Sequence, residues 1–371
     1  MYARRRPTLV LDSPVRHARY SRRVKSVAVR ILHPAWTARS GPLERALGTA
    51  RAGNARGLAA LFESAGAGDV RVDEGPPGGR SFGERLRELI AGLPAAAGLV
   101  VLGSGSIPLA TARDAVELVA VAASGARRAL ANNRYSADVV AIGVASALAS
   151  VPDLPSDNAL PRWLEEEAGF EVDDLRRRWR LAIDLDSPLD VLLTGGELAG
   201  IDVRAVRDRL EGIRAVATDR RAELVVAGRT SAGTLRWLER NTASRTRALV
   251  EERGLRAVGL VDVEANRPPR STLGLVLADR GPEALGAVLA ELGDAALIDT
   301  RVLLAHRLGA DESGWPPPED RFASDLLLAE EVRDPWLRAL TASARDSAIP
   351  VLLGGHTLVG PGVRLVLGKR G

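Results

Sequence analysis

The segment Val100-Val-Leu-Gly-Ser-Gly-Ser-Ile-Pro-Leu-Ala-Thr111 constrains the fold more than any other part of the chain. An apolar run stops abruptly in four small residues, and a helical pattern then starts near Ala112. A strand that hands over to a helix in this way is the repeating unit of α/β folds. Ligands of such folds sit at the carboxyl ends of the strands, and small residues there let a ligand approach the backbone.

The unit recurs along the chain. Val27–Leu32 reads as an opening strand, and Ala52–Ser64 as a helix with Leu58, Leu61 and Phe62 on one face. Asp69–Val72 is a short strand, and the breaker cluster Pro76-Pro-Gly-Gly79 precedes Ser81 in an N-cap position. Phe82, Leu86, Leu89 and Ile90 then form a helical stripe. Further on, Leu99–Leu102, Asp138–Ile142 and Arg180–Asp186 read as strands, and Ala112–Ala123 and Ala159–Ala168 as helices. A helix start follows at Ser187-Pro188. This alternation predicts an α/β fold with a mostly parallel twisted sheet and helices on both faces.

Beyond the boundary signal Gly195-Gly196 a second alternation begins. It gives strands at Glu223–Ala227, Arg245–Val250, Thr272–Leu277, Ala296–Leu304, Ile349–Leu353 and Val363–Leu367. Helices are predicted at Val203–Ala217, Ser231–Asn241, Pro282–Leu292 and Glu330–Arg345, and Trp315-Pro-Pro-Pro318 must be a loop. The chain thus divides into a basic tail (1–24), a first α/β domain (25–195) and a second one (196–371), with no fixed-period repeat.

Length and composition agree with two cores, since 371 residues exceed one ordinary domain and 46% are hydrophobic. The absence of cysteine excludes disulfides and thiolate metal sites. No apolar run reaches the length of a membrane span and the start lacks a signal-peptide core, so a cytoplasmic location is expected. The formal charge is only +4, and the basic residues are nearly all arginine, which points to GC-rich codons. Arg4, Arg5, Arg6, Arg16, Arg19, Arg22 and Arg23 could touch phosphate backbones, or form a solvated tail. Aromatics at 4% argue against a nucleic-acid base-stacking surface.

With these elements placed, the first domain resembles nucleotidyltransferases of the GT-A-like class. Its nearest likeness is to the 2-phospho-lactate guanylyltransferases of deazaflavin-cofactor synthesis and the molybdenum-cofactor guanylyltransferases. Four passages carry the resemblance: Val101–Thr111 with Asp114, Asn132–Ala141, Ser156–Leu164, and Ala182-Ile-Asp-Leu-Asp-Ser-Pro-Leu-Asp190. The resemblance implies attack of a phosphorylated small-molecule acceptor on a nucleoside triphosphate, GTP in the relatives, with release of pyrophosphate. It implies Mg²⁺ on Asp184 and Asp186, nucleotide contacts from Arg80, Ser81, Ser104, Gly105 and Ser106, and acceptor contacts from Asn132, Asn133 and Arg134. Magnesium suits such a place, because it takes one or two carboxylates with waters and phosphate oxygens. Ser106, however, stands where the family has its first metal-binding aspartate. His33-Pro34 and Arg39-Ser-Gly-Pro42 stand where a glycine-rich, basic opening loop is expected. The alternative is a catalytically silent nucleotide- or phosphate-binding module, with any activity in the second domain. A purely structural or partner-binding role for that domain is a third reading.

Each candidate also has a plainer role. Asp186 could cap the helix at Ser187-Pro188, Ser81 could be only a cap, and loop asparagines usually serve turns. In the second domain Arg229 and Ser231 lie at a strand–Gly–helix join that suits an anion. Asp299 and Arg301 share one face of a predicted strand, as an ion pair or a site. His356 follows a strand end, where it could act as an acid or base. His306, His356, Asp299 and Asp325 would make a metal site only if the fold gathered them. No Walker loop, GxGxxG, HExxH or GxSxG motif is present.

Overall fold

The structure is a computed structural model and describes residues 26–34, 36–75, 80–95, 97–154, 157–251 and 268–368. The basic tail and the breaker cluster at 76–79 lie outside the described residues. Within them the first half builds β1 (Val27–His33), α1 (Pro42–Ser64), β2 (Asp69–Glu74), α2 (Phe82–Ala91), β3 (Gly98–Gly103), α3 (Ala112–Ala122), β4 (Arg128–Ala131), β5 (Val139–Ile142), α4 (Leu160–Glu166), β6 (Glu171–Asp174) and α5 (Pro188–Leu193). The second half adds α6 (Arg204–Thr218), β7 (Glu223–Gly228), α7 (Ala232–Asn241), β8 (Arg245–Val250), α8 (Thr272–Arg280), α9 (Leu285–Leu292) and β9 (Ala295–Asp299). It closes with α10 (Thr300–Leu308), α11 (Pro318–Asp325), α12 (Pro335–Arg345), β10 (Val351–Gly354), α13 (His356–Val359) and α14 (Val363–Leu367).

These elements form two α/β domains. The first holds a six-stranded sheet in the order β2-β1-β3-β5-β4-β6, in which β5 alone runs against its neighbours. The second holds a four-stranded, all-parallel sheet in the order β10-β9-β7-β8. Strand alternation sorts the first core into two layers. Val29, Ile31, Val100 and Leu102 meet Leu58 and Phe62 of α1 and Leu118 of α3. Ala28, Leu99 and Val101 meet Leu86 of α2 and Leu160 and Leu164 of α4 on the other face. Burial on both faces explains why β1 and β3 read as continuous apolar runs.

The structure departs from the sequence reading at several points. Strands β4 and β6 were not anticipated: β4 has only four residues, and β6 is the acidic edge segment Glu-Val-Asp-Asp. Strand β5 is antiparallel because only residues 132–138 join it to β4, too few for the crossover that parallel pairing needs. The predicted strand Thr272–Leu277 is helix α8, capped by Ser271, with Leu273 and Leu277 inward at helical spacing. The predicted strand Ala296–Leu304 ends at Asp299, whose carboxylate accepts from the Arg301 amide and starts α10, so Asp299 and Arg301 do not share a strand face. Val363–Leu367 is also helical, burying Val363 and Val366, and Arg180–Asp186 forms a 3₁₀ turn at Trp179–Ala182 followed by a single bridge between Asp184 and Ser106.

Helix α1 serves both cores. Its first turns place Leu43 and Leu47 in the second core, beside Leu185, Leu189 and Val191, whereas Ala55, Leu58 and Phe62 belong to the first. The Glu319 carboxylate of α11 accepts hydrogen bonds from the Leu43 and Glu44 amides at 2.9 and 3.0 Å. A residue of the second half thus satisfies the amino end of a first-half helix, an end that would otherwise leave donors unpaired. Among the described residues no helix is long and apolar enough to cross a membrane.

Candidate functional site

The carboxyl edge of the first sheet is organised around the turn Gly103–Ser106. Asn54 of α1 donates to the carbonyls of Ser104 and Ser106 at 2.8 and 3.0 Å. His33, at the end of β1, hydrogen-bonds the buried Ser104 hydroxyl through Nδ1 at 2.9 Å. The Ser106 hydroxyl donates to the Asp138 carbonyl at 3.0 Å. Next in the chain, Ile107 is fully buried at φ 42°. A β-branched residue holds that conformation only where its surroundings enforce it, and such outliers gather at functional sites.

Several carboxylates meet beside this turn. Burial, then repulsion from Asp186 and Asp138, holds the Asp184 carboxyl well above the usual range against the pull of Arg51. Asp138 is pushed up to about 7 by burial and by Asp157 and Asp186, despite a hydrogen bond from Asn132. Burial and Asp186 likewise push Asp157 up to about 6, and burial, Asp186 and Asp325 push Asp190 up to about 7. The Asp184 Oδ1 is sealed from solvent and has no hydrogen-bond partner. A methyl group at Gly105 would stand 2.8 Å from that oxygen and 3.0 Å from the Arg51 Nε, so only glycine lets the turn pack this closely against them. Unpartnered buried acceptors and mutually repelling carboxylates are relieved by protonation or by a cation. No group of three or more His, Asp or Glu side chains is disposed to enclose a metal among the described residues. A cation held here would have at most two of these carboxylates as ligands and would take its other positions from water or a ligand, the coordination habit of Mg²⁺.

This edge opens into a cavity of about 490 Å³ between the two halves, a volume suited to a small molecule. From the first half Arg51 and Asp186 line it, and Trp36 stands half exposed at its wall. Arg229, Arg301, Arg321 and His356 line it from the second half. Arg51 ties the two regions together, donating to the Leu185 carbonyl at 2.7 Å and pairing with Asp186 at 3.3 Å. The second sheet ends at the same cavity: Arg229 follows β7, Arg301 follows β9 and His356 follows β10. Both sheets therefore present their carboxyl edges to one cleft, the usual ligand position for each.

The structure brings some of the sequence candidates together and leaves others apart. Asp184, Asp186 and Ser104–Ser106 are adjacent, and Arg229, Arg301 and His356 join them across the cleft. Asp186 is not the helix cap: Ser187 holds that position, and the Asp190 carboxylate accepts from the Asp186 and Ser187 amides and the Ser187 hydroxyl. Asp299 lies behind Arg229, bound by its Nε at 2.6 Å, and Arg301 pairs with Asp325 rather than with Asp299. Ser231 caps α7 by accepting from the Thr234 amide.

Arg80 is ion-paired with Glu88, and Ser81 forms a capping box with Glu84, neither lining the cleft. Asn132 braces the β4–β5 loop by binding the Asp138 carboxylate and the Leu181 carbonyl. Asn133 accepts from the Tyr135 amide, and Arg134 pairs with Glu165. His306 accepts from the Ser271 amide, and Asp299 and Asp325 are held by arginines, so these residues do not form the suggested metal site. Sequence reasoning missed Arg51, Asn54, Asp157 and Arg321, which no local motif marks. Asp138 carried a signal, as an acid at the mouth of an otherwise apolar strand. Comparison with known proteins gives no match to this chain among family models, curated proteins or solved structures.

Proposed function

We propose that the chain is a Mg²⁺-dependent nucleotidyltransferase acting in the cleft between its halves on a nucleoside triphosphate and a phosphorylated small-molecule acceptor. The observation that carries this reading is the orphaned, buried Asp184 oxygen in a group of repelling carboxylates, two of which, Asp186 and Asp190, line an arginine-rich cavity. Asp184 and Asp186 would hold the cation, which when bound neutralises triphosphate charge and the charge that builds up during transfer. An oxygen of the acceptor phosphate attacks the α-phosphorus, the new P–O bond forms, and the α–β anhydride bond breaks to release pyrophosphate. Arg51 is placed to contact phosphate from the first half, in the region where a basic opening loop is lacking. The Gly103–Ser106 turn supports the site from beneath, packing against Asp184, Arg51 and the Leu185 carbonyl. GTP is the first nucleotide to try, on the resemblance of the first domain, and a cytoplasmic location accords with a nucleotide-using enzyme.

A catalytically silent nucleotide- or phosphate-binding module is the second reading, favoured by Ser106 in the place of a ligating carboxylate. Equilibrium binding of GTP and other nucleoside triphosphates, with and without Mg²⁺, separates the two. Metal-dependent binding that is lost in the Asp184→Ala/Asp186→Ala double variant supports the enzyme. Metal-independent binding supports the silent module, and no binding of any nucleoside triphosphate at millimolar concentration refutes the enzyme reading.

A further inference from the structure

Arg229 and Arg301 converge from different strands on one point of bare backbone. The nearest side-chain atoms to a methyl group built on Gly355 are the Nη2 of Arg229 and the Nε of Arg301, each 3.9 Å away. Each guanidinium is fixed from behind by a carboxylate with no solvent exposure. Asp299 takes the Nε and Nη2 of Arg229 at 2.6 and 3.1 Å, and Asp325 takes the Nη1 and Nη2 of Arg301. A guanidinium carries five N–H donors, so these contacts leave the Nη1 group of Arg229 and the Nε–H of Arg301 without a protein acceptor among the described residues. Arg301 is 7% exposed, and Arg229, Arg301 and Gly355 all line the cavity. The third arginine of that wall, Arg321, has a buried Nε with no partner. The same segment touches the first half, where Thr357 bonds the Asp184 carbonyl at 3.5 Å.

We infer that Arg229 and Arg301, with Gly355 as the floor between them, form a binding site for a phosphate monoester, so that the second half serves to hold the acceptor by its phosphate. This assignment rests on reading the cleft as the place of transfer. Two pre-aligned forks aimed at one point suit a group with several acceptor oxygens and a double negative charge. A monocarboxylate would engage only one fork fully. The buried aspartates orient the guanidinia and offset their mutual repulsion, leaving the donors that face the cavity for the ligand. The bare backbone at Gly355 lets the phosphate sit against the sheet edge, where a side chain would stand in its way.

The test is calorimetric titration of the full chain with inorganic phosphate, and with acetate for comparison. Gly355 has extended backbone and its methyl position is open, so Gly355→Ala should fold normally while placing a carbon where the phosphate would lie. Phosphate should bind the wild type at least ten-fold more tightly than acetate does. Gly355→Ala should weaken phosphate ten-fold or more with an unchanged circular dichroism spectrum. Gly355→Asp should abolish binding and raise the melting temperature, because its own carboxylate takes the site. Arg229→Lys keeps the charge but loses the fork, and should also weaken binding. Absence of phosphate binding by the wild type, equal binding of acetate, or wild-type phosphate affinity in Gly355→Asp would overturn the assignment. Titration of the wild type with GTP and Mg²⁺ separates the two proposals: phosphate binding that responds to Gly355 without any GTP binding removes the transferase reading and keeps this one.

Discussion

Replacing Asp114 by asparagine tests how the closing segment reaches the site. Asp114 is buried at the first turn of α3, where its carboxylate accepts from the Thr111 amide and hydroxyl at 2.8 and 2.6 Å. It also accepts from Arg178 at 2.9 Å and Arg180 at 3.3 Å. Those two arginines sit at the start of the turn and within it, ahead of Asp184, so one buried carboxylate joins a helix start to the segment carrying the proposed ligands. A hydrogen bond involving a charge contributes roughly 1.5–3 kcal/mol, and loss of a helix cap costs about 1 kcal/mol. Both arginines keep solvent access, with side chains 28% and 32% exposed, and asparagine preserves the volume. The loss should therefore be about 2–3 kcal/mol at neutral pH.

The sign of its pH dependence follows from the carboxyl itself. Burial alone would raise the Asp114 pKa, but the bonds from Thr111 and Arg178 and the charge of Arg180 outweigh it and hold it below the usual value. The stabilisation is thus complete above the unfolded-state pKa of about 3.9 and disappears as pH falls through the lower folded-state value. Urea unfolding followed by tryptophan fluorescence should show a constant difference between wild type and Asp114→Asn from pH 8 to pH 5, narrowing below pH 4. A difference under about 0.5 kcal/mol at pH 7, or one that widens in acid, would refute the argument.

Other expectations concern the cation, the seam and the packing. Mg²⁺ should raise the melting temperature of the wild type, whereas Asp184→Asn should melt higher without metal and lose the Mg²⁺ response; a wild-type-sized Mg²⁺ shift in the variant, read by differential scanning fluorimetry, contradicts this. Glu319→Ala should weaken the seam by about 1–2 kcal/mol, because two α1 amides lose their acceptor, and calorimetry showing no lowered transition would remove that role. Gly83→Ala should destabilise by about 1–3 kcal/mol or more, since its methyl would stand 1.8 Å from the Pro152 carbonyl. Gly57→Ala, on an exposed helix face with nothing within 4 Å, should instead stabilise by roughly 0.5–1 kcal/mol. Urea midpoints moving in the same direction for both variants would contradict this contrast.

Much of the first half was legible because its central strands are buried on both faces and its helices start with marked caps. Ser81 announces α2 in the sequence and forms a capping box in the structure, as Thr111 does for α3. The late elements were less legible, since short apolar runs such as Thr272–Leu277 and Val363–Leu367 fit either period and only tertiary packing decides between them. The direction of β5 depends on the length of one loop, and β6 carries too little apolar residue to be read as a strand. The site was legible in fragments. The Gly103–Ser106 turn, Asp184 and Asp186 have local signatures, as do Arg229 and His356 after their strands. That they share one cleft depends on α1 packing into both cores and on Glu319 closing the seam, neither of which any local pattern encodes.

The most direct test of the central claim is the crystal structure of the full chain with GTP and Mn²⁺, located by its anomalous signal. The expected result is Mn²⁺ bound by Asp184 and Asp186 beside the Gly103–Ser106 turn, with the triphosphate reaching the cleft near Arg51. Nucleotide bound with its metal away from these carboxylates, or a cleft that stays free of nucleotide at saturating concentration, would contradict the account.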